Sequence, residues 1–301
     1  MHSSQEAKAQ TLALLGSIDF SLEDLEQHVL NSAVIPQIFV AMNGTDRVLA
    51  EEAAVCIKNL MTNELLGSKC TRRLYGLSIL PLISNILAGI LNEDSSTPVG
   101  SNNFVEAIAV QLWCIATSIP AALTEINASP LAALVTKRLP TSTSETISAD
   151  NALLQAFLVA VEDNEPLAQA ALQLNPQFLS ASSFTSASFD AFHFNSLLRL
   201  MCFLQISRCV ASAGSALDLP VLCDFLQGTL LRALPESSRF EGEPAAVKLH
   251  FEILEMAAES LELLIAANSQ CGKVLKTRGG LNQICQIPFV LANYYIENFQ
   301  K

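Results

Sequence analysis

Eight cysteines, four histidines and a few adjacent carboxylates are the residues here that could do chemistry. Their spacing does not assemble a site. Cys56, Cys70, Cys114, Cys202, Cys209, Cys223, Cys271 and Cys285 include no CxxC pair. A zinc site needs ligands that converge tetrahedrally, and disulfide frameworks belong to short secreted chains. Most of these cysteines sit in apolar helical contexts such as VCIKNL, LWCIAT and RLMCFL, where a thiol behaves as a small core hydrophobe. His2 stands in the terminal stretch, His28 follows LEDLEQ, His193 lies in FDAFHF, and His250 opens a long helical segment. None has a Cys, Ser or carboxylate at a spacing that encodes a known site, and HExxH, GxSxG and the P-loop are absent. Gly279-Gly280 in KTRGGLN lacks the preceding strand and the following GK[ST] of a phosphate loop, so it reads as a turn between helices. Glu51-Glu52 and Glu162-Asp163 are adjacent in sequence. On a helix, neighbours point about 100° apart, which suits a solvated or partner-facing surface better than a general acid and base. The expectation is a protein with no catalytic residue, no cofactor and no metal, and not an enzyme.

The elements that must carry these residues are helices. Half of the 301 residues are apolar, 15% are charged, and mean hydropathy is +0.37, so a substantial core is available. Leu and Ala dominate, Gly numbers only 12, and long spans between prolines leave room for helices. No alternating run rich in Val, Thr and Tyr reads as a strand. The class is all-α.

A phrase within the chain returns. VIPQIFVAMNGTDRVLAEEAAVCIKNLMTN, from Val34 to Asn63, reads as two short apolar helices, a polar turn and a longer amphipathic helix. LSILPLISNILAGIL, from Leu77, leads through a polar stretch into VEAIAVQLWCIATS, and PLAALVTKRL leads through a loop into NALLQAFLVAVEDN. A unit that recurs at roughly 40 to 55 residues predicts a right-handed α-solenoid of armadillo or HEAT type, whose working surface is a long groove. Setting Asn63 against Ser118 and Asn164 places Glu51 opposite Glu106, Val55 opposite Val110, Ile57 opposite Leu112, and Leu60 opposite Ile115 and Val161. Apolar positions then recur at helical spacing along the face that must be buried. Lys58 falls opposite Trp113 and Asn59 opposite Cys114. The third helices are expected at about Glu51–Asn63, Val105–Ser118, Asn151–Val161 and Val247–Ala267. On them, on or beside one inner, concave face, Glu52, Asn59, Asn63, Glu106, Trp113, Glu162 and Asp163 are the expected partner-binding residues. The reading next to this one takes Asn59 as a polar residue near a helix end and Trp113 as a packing residue.

The whole chain, residues 1–301, reads as one solenoid, armadillo-like to about residue 165 and HEAT-like after it. Three loops, Asn92 to Asn103, Pro140 to Asp150 and Ser180 to Ser188, interrupt it without demanding a second domain. The most apolar stretch, Leu77 to Leu91, contains Pro81 and Asn85 and falls short of the ~20 residues that a spanning helix needs. MHSSQEAKAQ has neither a basic region nor an apolar one, so no signal peptide is expected. Lys+Arg number 17 against 29 Asp+Glu, a formal charge of −12, with pI near 4.8. That balance argues against direct nucleic-acid binding, which needs a basic stripe. The basic clusters Lys69 to Arg73, Lys137-Arg138 and Lys273 to Arg278 are short and expected at helix ends, where cations favour the dipole. An acidic surface attracts basic clients instead.

RVLAEEAAVCIKNLMTN, PLISNILAGIL, the polar insertion and VEAIAVQLWCIATSIPAALTEIN together are similar to the symportins, which are armadillo/HEAT adaptors. The Leu112-Trp113 pair after the insertion, the acidic end of NALLQAFLVAVEDNEPLAQAAL and the Ala-Asn close of EILEMAAESLELLIAANS carry the likeness, from about Val34 to Asn268. The resemblance implies an adaptor that holds a basic ribosomal protein of the 5S particle for nuclear import and ribosome assembly. It also implies a nuclear transport receptor as second partner and residence in both cytoplasm and nucleus. The family's armadillo clamp, an Asn near the end of the third helix, matches Asn59 and departs at Cys114. MHSSQEAKAQ lacks the basic import signal of that family, and the insertions here lack its long acidic loop. The alternative is a generic armadillo scaffold that assembles other protein complexes.

Overall fold

The computed structural model describes residues 2–17, 25–30, 33–64, 66–92, 101–126, 128–138, 143–162, 164–174, 198–199, 201–202, 205–206, 208–209, 258–259, 261–263, 265–266 and 269–277. These residues are mostly helical and include no strand. The all-α class therefore holds among them. The chain divides into two compact units, Met1–Ala160 and Val161–Lys301. The expected third helix at Val247–Ala267 lies largely outside the described residues.

The first unit begins with α1 (His2–Ser17), a π turn (Leu25–Leu30), α2 (Val34–Met42), α3 (Arg47–Thr62) and α4 (Gly67–Gly76). It continues with α5 (Ile79–Asn92), α6 (Asn102–Ser118), a 3-10 turn (Pro120–Glu125), α7 (Ala128–Arg138) and α8 (Ile147–Val161). In the second unit, α9 (Glu165–Leu174) and α10 (Ser269–Thr277) are described. No single described helix is long and apolar enough to cross a membrane.

Two local devices fix where these helices start. The short apolar helices α2, α5 and α7 each carry proline as their third residue, Pro36, Pro81 and Pro130. In a first turn the backbone N–H has no intrahelical partner, so proline loses no hydrogen bond there. For that reason Val34–Met42 is one helix, where the sequence pattern predicted two: Pro36 opens the helix and does not divide it. The long helices start on polar caps instead. The Asp46 carboxylate accepts from the Leu49 N–H at 3.1 Å, and the Ser101 hydroxyl oxygen accepts from the Phe104 N–H at 3.2 Å. The backbone carbonyls of Asp46, Ser101 and Thr146 accept from Ala50, Val105 and Asp150 at 2.9, 3.2 and 2.9 Å. Each cap satisfies N–H groups that a helix start leaves without partners.

Helix α3 is the hub of the first unit, packing on α1, α2, α4 and α6. Helices α5 and α7 pack on each other, and α4 also packs on α6. Helices α3 and α6 run parallel, because Glu51 meets Ser101 near their starts and the Met61 carbonyl meets the Cys114 sulfur near their ends. Ala53, Ala54, Ile57, Ala107, Ile108 and Leu112 are no more than 1% exposed. The alanines let the two backbones approach, and each large apolar side chain buried among them contributes about 1.5–3 kcal/mol. One polar side chain crosses this core. Gln111, fully buried, donates its Nε2–H to the Ala54 carbonyl at 2.7 Å, while its Oε1 has no partner. The bond pins α6 against α3 at one register.

The basic cluster Lys69 to Arg73 runs along α4 from near its start, and of these residues Arg73 reaches the last turn, the helix end where cations were expected. Cys70, Thr71 and Leu74 face inward while Lys69, Arg72 and Arg73 are exposed. Its spacing is that of an amphipathic helix, too short and too polar to stand out in the sequence. Lys137 and Arg138 do occupy the last turn of α7.

Candidate functional site

The face that the repeat pattern singles out is the outward side of α3, α6 and α8. Counting from the cap residues Asp46, Ser101 and Thr146, equivalent positions read Glu51, Glu106, Asn151; then Val55, Val110, Gln155; then Lys58, Trp113, Leu158. All nine are half-buried or exposed. The register from α3 to α6 is the one read from the sequence. In α8 it differs by one residue, so Ala160, not Val161, stands opposite Leu60 and Ile115. Asn63 and Asn164 are not equivalent: Asn63 ends α3 and opens the turn before α4, while Asn164 directly precedes α9. Asn63 follows its cap Asp46 by 17 residues, and Asn164 follows Thr146 by 18.

Carboxylates tie the row together. The Glu51 carboxylate accepts from the Ser101 hydroxyl and from the Asn103 amide at 3.1 Å. One unit later, the Glu106 carboxylate accepts from the Ser148 hydroxyl at 2.8 Å. The same helix position thus holds the start of the next long helix twice over. Glu106 is also paired with Lys58 at 3.5 Å, with the two side chains 29% and 25% exposed. A pair this accessible contributes little to stability. It does place a cation among the acids of the face.

The expected site residues separate into three groups. Glu52 and Glu106 are half-buried on α3 and α6, and Trp113 is 40% exposed on α6. Glu162, exposed, follows the last turn of α8. The two asparagines are employed inside the fold. Asn59 donates its Nδ2–H to the Gly16 carbonyl at 3.2 Å, closing the end of α1. The Asn63 side-chain oxygen accepts from Leu66 N–H at 3.0 Å in the turn between α3 and α4, whereas Asn164 caps α9 through Leu167 N–H at 3.1 Å. Asp163 lies outside the described residues. The residues that sequence reasoning missed are the braces Glu51, Lys58, Ser101 and Ser148. The equivalence of Glu51 and Glu106 carried their signal.

The thiols near this face are not poised for reaction. Burial, and then the Glu52 carboxylate, push the Cys56 thiol up to about 12; burial alone pushes Cys114 up to about 11. A thiol held protonated is a poor nucleophile and a poor metal ligand. Among the described residues, no group of three or more His, Cys, Asp or Glu is placed to hold a metal ion. On the exposed surface, Tyr75 donates its hydroxyl to Glu125 at 2.7 Å, and that bond raises its pKa.

A second polar cluster joins three helix ends. The Asp150 carboxylate, 1% exposed, accepts from Arg138 Nε at 2.9 Å and from the Thr146 hydroxyl at 2.8 Å. Arg138 also donates to Asn102 Oδ1 at 3.2 Å, and Asn102 donates to the Glu145 carbonyl at 3.0 Å. Charge and hydrogen bonds are matched, so the cluster reads as a structural joint for α6, α7 and α8.

Comparison with known proteins found no matching family model, no matching curated protein and no matching solved structure.

Proposed function

We propose that this protein is a non-catalytic adaptor or chaperone built as an armadillo/HEAT-type α-solenoid, and that the outward face of α3, α6 and α8 receives a basic client. The observation that carries this reading is the face itself. Equivalent positions of the long helices α3 and α6 recur in one register and present Glu51, Glu106 and the exposed Trp113, with Glu52 one residue round the helix from Glu51. The chain's net charge of −12 supports charge-steered capture of a basic segment. The client proposed is a ribosomal protein of the 5S particle, held for nuclear import and ribosome assembly as the likeness to symportins implies, with a nuclear transport receptor as second partner. A generic scaffold is the competing reading. The half-exposed valines Val55 and Val110 beside Trp113 favour it, since they suit an apolar partner.

Trp113 is the one tryptophan of the chain, so its fluorescence reports on this face without a label. Titration with a purified ribosomal protein of the 5S particle is expected to change Trp113 emission saturably, with affinity falling steeply as salt rises. Trp113→Ala, followed by anisotropy of a labelled client, is expected to weaken binding by about 2 kcal/mol or more while circular dichroism stays native. Glu52→Gln with Glu106→Gln is expected to act through association rate and salt dependence. Unchanged affinity in both variants would remove this face as the binding site. Tight binding without salt dependence would favour the scaffold.

A further inference from the structure

A groove of about 830 Å³ opens between α1 and α2, floored by Leu49 of α3. On the α1 side, Lys8, Thr11, Leu12 and Leu15 line it, spaced as i, i+3, i+4 and i+7. On the α2 side, Val34, Gln37, Ile38 and Ala41 repeat the same spacing, and Pro36 and Val40 line the groove beside that row. The two walls are therefore helix faces about two turns long, roughly 11 Å. Apolar side chains stand open at the rim, with Val40 74% and Val34 36% exposed. These open valines border a concave space, the shape that a ligand can enter.

The helix order indicates what fits there. Helix α3 has the short apolar α2 packed on its flank, and α6 is packed against the short apolar α5. Among the described residues, α3 is the helix that packs on α1, and the other flank of α1 is the groove. The space corresponds to the place of a short helix beside α1. Two helix walls that each line the groove with i, i+3, i+4, i+7 residues suit an amphipathic helix laid between them. Lys8 is the one charged residue among the lining, so the complementary occupant carries a carboxylate at that end.

We propose that this groove receives an amphipathic, acid-bearing helix of a partner protein. The site is distinct from the client face and takes a ligand of opposite chemistry, apolar and acidic rather than basic. It stands whether or not the client reading does.

The test uses the full chain and a fluorescent synthetic helix of about four turns, with leucines at i, i+3, i+4 and i+7. One version carries a terminal glutamate and the other a lysine in its place. The glutamate peptide is expected to bind saturably and more tightly than the lysine peptide. Val40→Asp, at a position exposed enough to tolerate it, is expected to weaken that binding at least about tenfold. Lys8→Glu is expected to invert the preference between the two peptides. Absence of saturable binding, or indifference to both substitutions, overturns the proposal. A monomer–dimer equilibrium in sedimentation that Val40→Asp abolishes also overturns it, by making a second copy the occupant.

Discussion

Cys56 shows how a single residue ties this fold to solution conditions. Its thiol is buried, the Cys56 backbone lies against Gly16 of α1, the Glu52 carboxylate is near, and the fold holds the thiol protonated up to about 12. The folded value lies above the unfolded one, so the neutral thiol stabilises fully below the unfolded pKa of about 8.5. That contribution is lost as pH climbs through the interval up to the folded value. Cys114 adds a smaller loss of the same sign up to about 11. Thermal unfolding followed by circular dichroism is expected to be flat from about pH 7 to 8.5 and to fall progressively above about pH 9. Cys56→Ala should start less stable, since it leaves a small void, and should show a shallower alkaline decline. An equal slope in the variant would assign the decline to other groups. The buried thiols were legible in the sequence because apolar neighbours surround them. The employment of Asn59 was not, because its partner, the Gly16 carbonyl, is 43 residues away and belongs to a helix with no periodic signal.

At the scale of elements, the helices with strong periodicity were legible and the others were not. Helices α3 and α6 alternate apolar and polar residues at helical spacing over 16 and 17 residues. Helix α1, by contrast, buries Ala9 and half-buries Leu12 and Leu15, yet leaves Leu14 64% exposed. Helix α4, GSKCTRRLYG, hides behind its charges. Its start depends on a glycine: a Cβ on Gly67 would sit 2.3 Å from the Met61 carbonyl, at the turn that Asn63 caps. Gly76, at the other end of α4, has nothing within 4 Å of such a Cβ. Gly67→Ala is therefore expected to cost about 2 kcal/mol or more. Gly76→Ala is expected to be neutral or to stabilise by roughly 0.4–1 kcal/mol, through the lost freedom of the unfolded chain. Urea unfolding of both variants measures the contrast. Equal effects would show that the turn relaxes and that the close approach of Gly67 to Met61 is not required.

At the scale of the molecule, what distinguishes one helix of the first unit from another is how many of its faces are covered. Helix α3 is covered by α1, α2, α4 and α6, and its Ala53, Ala54 and Ile57 are fully buried. Helix α6 is covered by α3, α4, α5 and the 3-10 turn, and Gln111 locks it to α3 through Ala54. Helix α1 contacts α3 along one side and faces the open groove on another. Opening free energy follows local packing, so a helix covered along one side opens more readily than one covered on several. Hydrogen exchange followed by mass spectrometry is expected to give the slowest amides in α3 and α6, and exchange in α1 faster by at least about tenfold. The glutamate peptide, if it occupies the groove, should slow α1 and α2 while leaving α6 unchanged. Uniform protection across α1, α3 and α6 would mean that the unit opens as a single cooperative block, and that its helices do not behave as stacked layers with a loose first member.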